Sequence, residues 1–308
     1  MAKKGTKIAL TYFITIFISI LIIAAAGMIF MKKMLAPSQS AADIEVTSSS
    51  EEGYEPTMLD NQTTLFILDA GGDKLSSTVF VLTRLLPSEK SLLIVPLQSD
   101  TYANVNGTEN TLFGFYEDGG CASLKRAIET DLDTAIDRYM KFDDTNFEKF
   151  AAQFAAVNYD IPYALIYEDP ATGETTVIRQ GGQIMDPTTM LKVFTFPEFK
   201  TGETARNAAV GSIVTDFINA SVSTRLRTGA DAIAQSAIEN NTETDISIYD
   251  YEFKKEAIQY ILDNTDRPAE LIIPSGNYDE TGKYVLEDAF VTSLKSRFNS
   301  GMYTDTNG

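Results

Sequence analysis

The sequence predicts an α/β fold of three layers, a mixed central sheet with helices on both faces, preceded by one transmembrane helix. Three observations predict it. Residues 64–68 (TLFIL), 78–83 (TVFVLT) and 91–96 (SLLIVP) are apolar runs of strand length. They are nearly continuous in apolarity instead of alternating, as strands covered on both faces are. Amphipathic helical stretches follow and interleave with further strand-like segments, the pattern of a layered sheet. Finally, residues 8–31 carry no charge and are bounded by lysines on both sides.

That N-terminal stretch is 24 residues long, about 36 Å as a helix, enough to cross a hydrocarbon core of about 30 Å with some tilt. A cleaved signal peptide is the competing reading. Against it, the stretch is long for a signal and is followed by Lys32 and Lys33, not a small-residue cleavage site, although residues 24–27 are small. Lys3, Lys4 and Lys7 outnumber the two lysines after the stretch, so the N-terminus is expected in the cytoplasm and the rest outside. The organisation predicted is a cytoplasmic tail at 1–7, a transmembrane helix at 8–31, a flexible stalk at 32–60 and one extracytoplasmic domain at 61–308. The stalk is rich in Ser, Glu and Pro and poor in large apolar residues.

Within the domain, residues 84–90 (RLLPSEK) read as a turn, making an antiparallel hairpin of the second and third strands. Leu124, Ile128, Leu132 and Ile136 recur every four residues and predict a helix with Lys125, Arg126, Glu129 and Asp131 outside the stripe. Thr145 with Glu148 reads as a capping box ahead of Phe147, Phe150 and Phe154. Asp186 followed by Pro187 reads as an N-cap with proline at the first helical position. Val210, Ile213, Val214, Phe217 and Ile218 mark a longer helix, and Phe253, Ala257 and Ile261 another.

Composition removes whole classes of chemistry. There is no histidine, so no Ser-His-Asp or Cys-His pair and no imidazole ligand. A single cysteine, Cys121, leaves no intramolecular disulfide and no cysteine-rich zinc site. The net charge of −18 opposes nucleic-acid binding. Residues 1–59 are balanced, five acids against five bases, so the excess belongs to the domain, where 38 acids face 20 bases.

The order of segments resembles the LytR-CpsA-Psr (LCP) family of cell-envelope proteins. Residues 64–105 are similar to that family's opening strand, loop, hairpin and Asp-Thr element, here Asp100 and Thr101. In LFGFYEDGG, Tyr116, Gly119 and Gly120 match a family tyrosine and glycine pair, and RQGGQIMDPTTMLKVF resembles the next glycine-containing element and helix. The resemblance implies the LCP three-layer fold and transfer of a glycopolymer from a polyprenyl-pyrophosphate carrier onto peptidoglycan. It also implies a magnesium ion and arginines on the diphosphate, and a water-free groove for the lipid.

By the same resemblance the residues that carry this chemistry are mostly replaced. Gln98 and Ser99 stand where an arginine precedes the Asp-Thr pair, Gly71 and Ser77 stand where acids are expected, and Leu75 stands for an arginine. Asp73 substitutes only if the loop shifts, and no arginine lies between Lys192 and Lys200. A glutamine or serine does not balance a diphosphate as a guanidinium fork does. What remains is Asp100 and Arg206 as catalytic candidates, Asp100 also as the metal ligand, and Thr101, Glu203 and Tyr116 as ligand-binding candidates.

Each has a plainer reading. Asp100 can turn the chain after a strand, and Glu203 with Arg206 can be a surface ion pair. Gly71 and Gly72 read as a tight loop, Glu117 and Asp118 as a solvated turn, and Arg225 and Arg227 as a solvated helix start. The expectation is therefore a membrane-anchored LCP-like protein of cell-wall glycopolymer biogenesis with a degenerate site and a binding or scaffolding role. Its partners are a lipid-linked glycopolymer or another envelope lipid, and peptidoglycan. The alternative is an active phosphotransferase using Mg2+; an unrelated extracytoplasmic sensor is a third reading.

Overall fold

The computed structural model describes residues 53–71 and 75–300, all within one compact unit, Gly53–Gly308. The expected tail, transmembrane helix and most of the stalk lie outside the described residues, as do Gly72 and Asp73. No helix among the described residues is long and apolar enough to cross a membrane.

The chain opens with β1 (Gln62–Asp69), β2 (Thr78–Leu86) and β3 (Ser91–Leu97), followed by the hairpin β4 (Tyr102–Val105) and β5 (Thr108–Thr111). Next come α1 (Leu112–Asp131), β6 (Arg138–Phe142), α2 (Asp144–Ala151), β7 (Val157–Ile161), β8 (Leu165–Glu168), β9 (Thr175–Ile178) and β10 (Gly181–Met185). Helices α3 (Pro187–Phe194), α4 (Glu203–Ser221) and α5 (Arg227–Glu239) precede β11 (Glu243–Thr244), α6 (Ile248–Asn264) and β12 (Ala269–Leu271). A last hairpin, β13 (Gly276–Tyr278) and β14 (Tyr284–Leu286), leads into α7 (Asp288–Phe298).

Six strands make one sheet in the order β11-β6-β1-β2-β3-β12. It is mixed: β1 pairs antiparallel with β2 and β2 with β3, while β6 lies parallel to β1 and β12 parallel to β3. The predicted hairpin is therefore present, with a short turn at Pro87–Glu89 and both strands longer than their apolar runs. Leu65, Ile67, Phe80, Leu82, Leu93 and Val95 face α1 and α7. Their neighbours along the strands, Phe66, Leu68, Val79, Val81 and Ile94, face a second core built with α2, α3 and α4. Burial of both faces is why these strands read as unbroken apolar runs. Gly211 lets α4 lie close on the sheet, since a Cβ there would meet Leu271 and Pro96 at 2.6 Å.

Several local expectations shift. Helix α1 ends at Asp131, so Leu132 is its C-cap and Ile136 lies in the following loop, though both are buried in the same core. The YEDGG segment is helical, not a free turn, and the helix kinks at Gly119 and Gly120. The cap of α2 is Asp143, whose side chain accepts from the Asn146 N–H at 2.7 Å; Thr145 lies inside the helix. Asp186 does cap α3, accepting from the Thr189 N–H at 2.7 Å with Pro187 first in the helix. Phe253 lies on α6 but points to solvent. Arg227 is tied to the end of α6 through the Leu262 carbonyl and Asp266, each at 2.8 Å.

Candidate functional site

Because β1 and β3 run in one direction and β2 returns, Asp69, Thr78 and residues 98–101 fall at the same end of the sheet. Ser99 joins this edge together, donating to the Thr78 carbonyl at 3.2 Å. The N-terminus of α4 arrives over it, with Thr204 Oγ1 donating to Gln98 Oε1 at 3.2 Å and Asn207 donating to the Pro96 carbonyl at 2.8 Å. The β13–β14 hairpin arrives from the other side, where Thr101 bridges to Tyr284.

Asp100 lies between these elements. Its Oδ2 accepts the Tyr278 hydroxyl at 2.7 Å, and its Oδ1 is buried with no hydrogen-bond partner. Loss of solvent raises its pKa above the ordinary carboxylate value; the Tyr278 bond opposes this and the Glu203 charge adds to it. Thr101 Oγ1 and Gln98 Nε2 are likewise buried without partners.

Arg206 is 4% exposed, and its guanidinium is consumed by protein. Nε donates to Glu203 at 2.9 Å, Nη1 to the carbonyls of Phe194 (2.9 Å), Ser76 (3.3 Å) and Thr78 (3.3 Å), and Nη2 to the Leu75 carbonyl (3.4 Å) and again to Glu203. Glu203 and Arg206 are thus an ion pair, but a largely buried one that fastens the 75–78 segment to α3 and α4.

Tyr116 belongs to a second group. Its hydroxyl donates to Asp69, which also takes Lys141 Nζ at 3.0 Å and the Gly71 N–H at 3.1 Å. Burial would raise the Asp69 pKa, but the bonds from Tyr116, Lys141 and Gly71 outweigh it and hold the carboxyl below its usual value. Burial opposes the Lys141 charge, and the Tyr116 and Asp69 contacts outweigh it and raise its pKa. Nearby Cys121 is pushed up to about 12 by burial and by Glu243, so it stays a thiol.

The five candidates therefore divide: Asp100, Thr101, Glu203 and Arg206 meet at the β3 and α4 edge, and Tyr116 sits with Asp69 and Lys141 at the β1 and β6 edge. Sequence reasoning missed Tyr278, Asp69 and Lys141. Asp69 closes an apolar run, a usable signal; Lys141 faces it only because β6 pairs in parallel with β1, which no local pattern reveals.

The donor set among the described residues offers a magnesium ion few protein ligands. Among the described residues no three acidic or thiol side chains come together as ligands. Asp69 and Glu203 Oε2 are engaged with Lys141 and Arg206, and Asp100 Oδ1 is, among the described residues, a buried carboxylate oxygen of this edge without a protein partner. Magnesium held by protein usually takes one or two carboxylates and substrate phosphates in octahedral geometry.

Below this edge an apolar cavity of about 410 Å³ opens between the sheet and helices α2, α4, α5 and α6. It follows β1 from Gln62 to Leu68, roughly 20 Å at the rise of a strand. Phe142, Phe150, Phe154 and Phe217 form its aromatic wall, each ring 4.9–5.1 Å from the next.

The family model described as LytR_cpsA_psr matches residues 34–289. The chain belongs to the LytR-CpsA-Psr family. Solved structures share the fold of this LytR-CpsA-Psr domain. A protein of Eubacterium siraeum described as a transcription regulator superposes with a TM-score of 0.71 at 19% identity, over 84% of this chain and 99% of the other. TagV of B. subtilis gives 0.60 at 19% identity over 78% and 96%. TagT, solved bound to LIIa-WTA, gives 0.56 at 16% identity over 84% and 98%. No curated protein matches the sequence. The mixed sheet with helices on both faces is the arrangement that the resemblance implied.

Proposed function

We propose that this LytR-CpsA-Psr protein is anchored in the cell membrane by residues 8–31 and holds a lipid-linked cell-wall glycopolymer without transferring it. The lipid class is a polyprenyl pyrophosphate, the domain lies outside the membrane, and the role is to bind or scaffold in wall-polymer biogenesis beside peptidoglycan. The observation that carries this reading is the pairing of a long apolar cavity with an edge whose buried arginine is consumed. The cavity, walled by phenylalanines, suits an isoprenoid chain. At its edge, Arg206 spends its donors on Glu203 and four carbonyls, and Gln98 and Ser99 replace cationic groups. A transferred diphosphate requires preorganised positive charge where the negative charge develops, and Lys141, a described cation at this end of the sheet, is already paired with Asp69. TagT, of the same fold, binds LIIa-WTA, which supports the ligand class.

A second reading, active transfer with Mg2+, is favoured by one observation, the unpartnered Oδ1 of Asp100. Binding of polyprenyl pyrophosphate to the full-length protein, with and without magnesium, separates the two. The scaffold reading expects binding without magnesium, retention in Asp100→Asn, loss in Ala234→Trp, which fills the cavity from α5, and no polymer transferred to peptidoglycan. Magnesium-dependent transfer lost in Asp100→Asn would establish the enzyme instead.

A further inference from the structure

The chain enters the domain along α6. The Tyr54 ring packs edge-on against Tyr260 at 5.7 Å, and Lys254 Nζ donates to the Leu59 carbonyl. This brings two sets of large apolar side chains together in solvent. Leu59 is 76% exposed, Tyr249 82% and Phe253 67%, with Met58 and Ile248 exposed beside them. Single exposed apolar residues are ordinary, whereas a contiguous group marks an interaction surface. We propose that this patch rests on the lipid bilayer surface, at the depth of the head groups.

Chain connectivity argues for that occupant. The charge-free stretch ends at Met31, 22 residues before Tyr54, and a segment of that length, if it behaved as a coil, would span roughly 25 Å root-mean-square. A surface held that close to a membrane docks at high effective concentration, so weak apolar contact suffices. The residue types agree: Tyr and Phe favour the membrane interface, and Lys254, whose Nζ lies 5.0 Å from the Phe253 ring, has the reach to keep its charge in water. Glu252 and Glu256 lie on the same exposed face of α6, which limits insertion to the interface. They also oppose a second copy of the chain, because a two-fold contact would set these acids against one another. Gln62, Asp250, Tyr251 and Lys254 line the adjoining end of the apolar cavity. Resting on the carrier-binding reading above, docking would place that end of the cavity against the bilayer, so that the tail of a carrier held with its diphosphate at the Asp100 edge points toward the membrane.

The test uses the full-length chain in plain phosphatidylcholine vesicles, with nitroxide labels at Tyr249→Cys or Phe253→Cys and buried Cys121 left in place. Ser293→Cys on α7, exposed on the opposite side of the sheet, is the reference. The ratio of oxygen to water-soluble nickel chelate accessibility is expected to be several-fold higher at 249 and 253 than at 293. A label at Leu59→Cys should lose that preference when Tyr249 and Phe253 are both changed to Ser. Equal ratios at all sites, failure of the chain to remain with the vesicles, or spin–spin broadening between chains without oxygen preference would each overturn the proposal. These vesicles contain no diphosphate lipid, so the outcome is independent of whether the cavity binds a carrier.

Discussion

Tyr278 donates its phenol to Asp100 Oδ2 at 2.7 Å across 178 positions of sequence. The bond joins the β13–β14 hairpin to the turn after β3, and it satisfies one oxygen of a carboxylate whose other oxygen has no protein partner. Removing one partner of a bond to a charged group that water still reaches, as at half-exposed Tyr278, costs about 1 kcal/mol. Tyr278→Phe is expected to lower unfolding free energy by about that amount in urea denaturation. In a double-mutant cycle with Asp100→Asn the two losses should couple by a similar amount. Strict additivity would show that the bond holds nothing together.

Arg206 is a structural clamp by its geometry, and its loss should be felt as instability. Arg206→Ala strands Glu203 and removes one donor from each of four carbonyl groups, an expected loss of about 3–5 kcal/mol. Arg206→Lys should recover only part of it, since an ammonium does not span a planar fork. Urea midpoints of the purified variants check both. A stable Arg206→Ala protein would free the guanidinium for a role in the site.

The kink in α1 predicts a glycine requirement. Gly120 has φ +62° and ψ −156°, a region that side-chain-bearing residues enter at a cost of about 1–3 kcal/mol. Space is not the issue, as a Cβ there meets nothing within 4 Å. Gly120→Ala should therefore destabilise by that amount in thermal or urea unfolding. It should also disturb the Tyr116 contact with Asp69, because Tyr116 lies on the half-helix that the kink orients.

Legibility followed burial. Strands β1 to β3 were readable because covering both faces leaves an unbroken apolar run, and the Asp186-Pro187 cap was readable because its chemistry is local. Helix α6 was located from Phe253, Ala257 and Ile261, yet periodicity did not show that Phe253 faces outward. The short hairpins β4–β5, β8–β9 and β13–β14 pair only three or four residues per strand, too few to set up a recognisable period. Arg206 and Glu203 were identified as a pair from their spacing, but the carbonyls that absorb the guanidinium come from backbone and have no side-chain signal. Tyr278 on Asp100 depends wholly on tertiary placement.

Asp131 closes α1 with a half-buried carboxyl whose pKa burial pushes up to about 6. Its position also sets a negative charge at the negative end of the helix dipole. The sign follows from linkage. Below the unfolded carboxylate value, near 4, both states hold the proton and nothing is lost. Between about 4 and 6 the native state binds more protons than the unfolded chain, so this residue's contribution falls as pH rises. Above about 6 the folded protein carries the whole penalty. Asp131→Asn removes that charge and should stabilise at neutral pH by about 1–2 kcal/mol, less than the full shift because residual solvent screens it. Urea midpoints of the native protein and the Asp131→Asn variant should nearly coincide at pH 4 and separate by pH 7.5, the variant being the more stable. A constant gap across that range would show that the effect is packing and not charge.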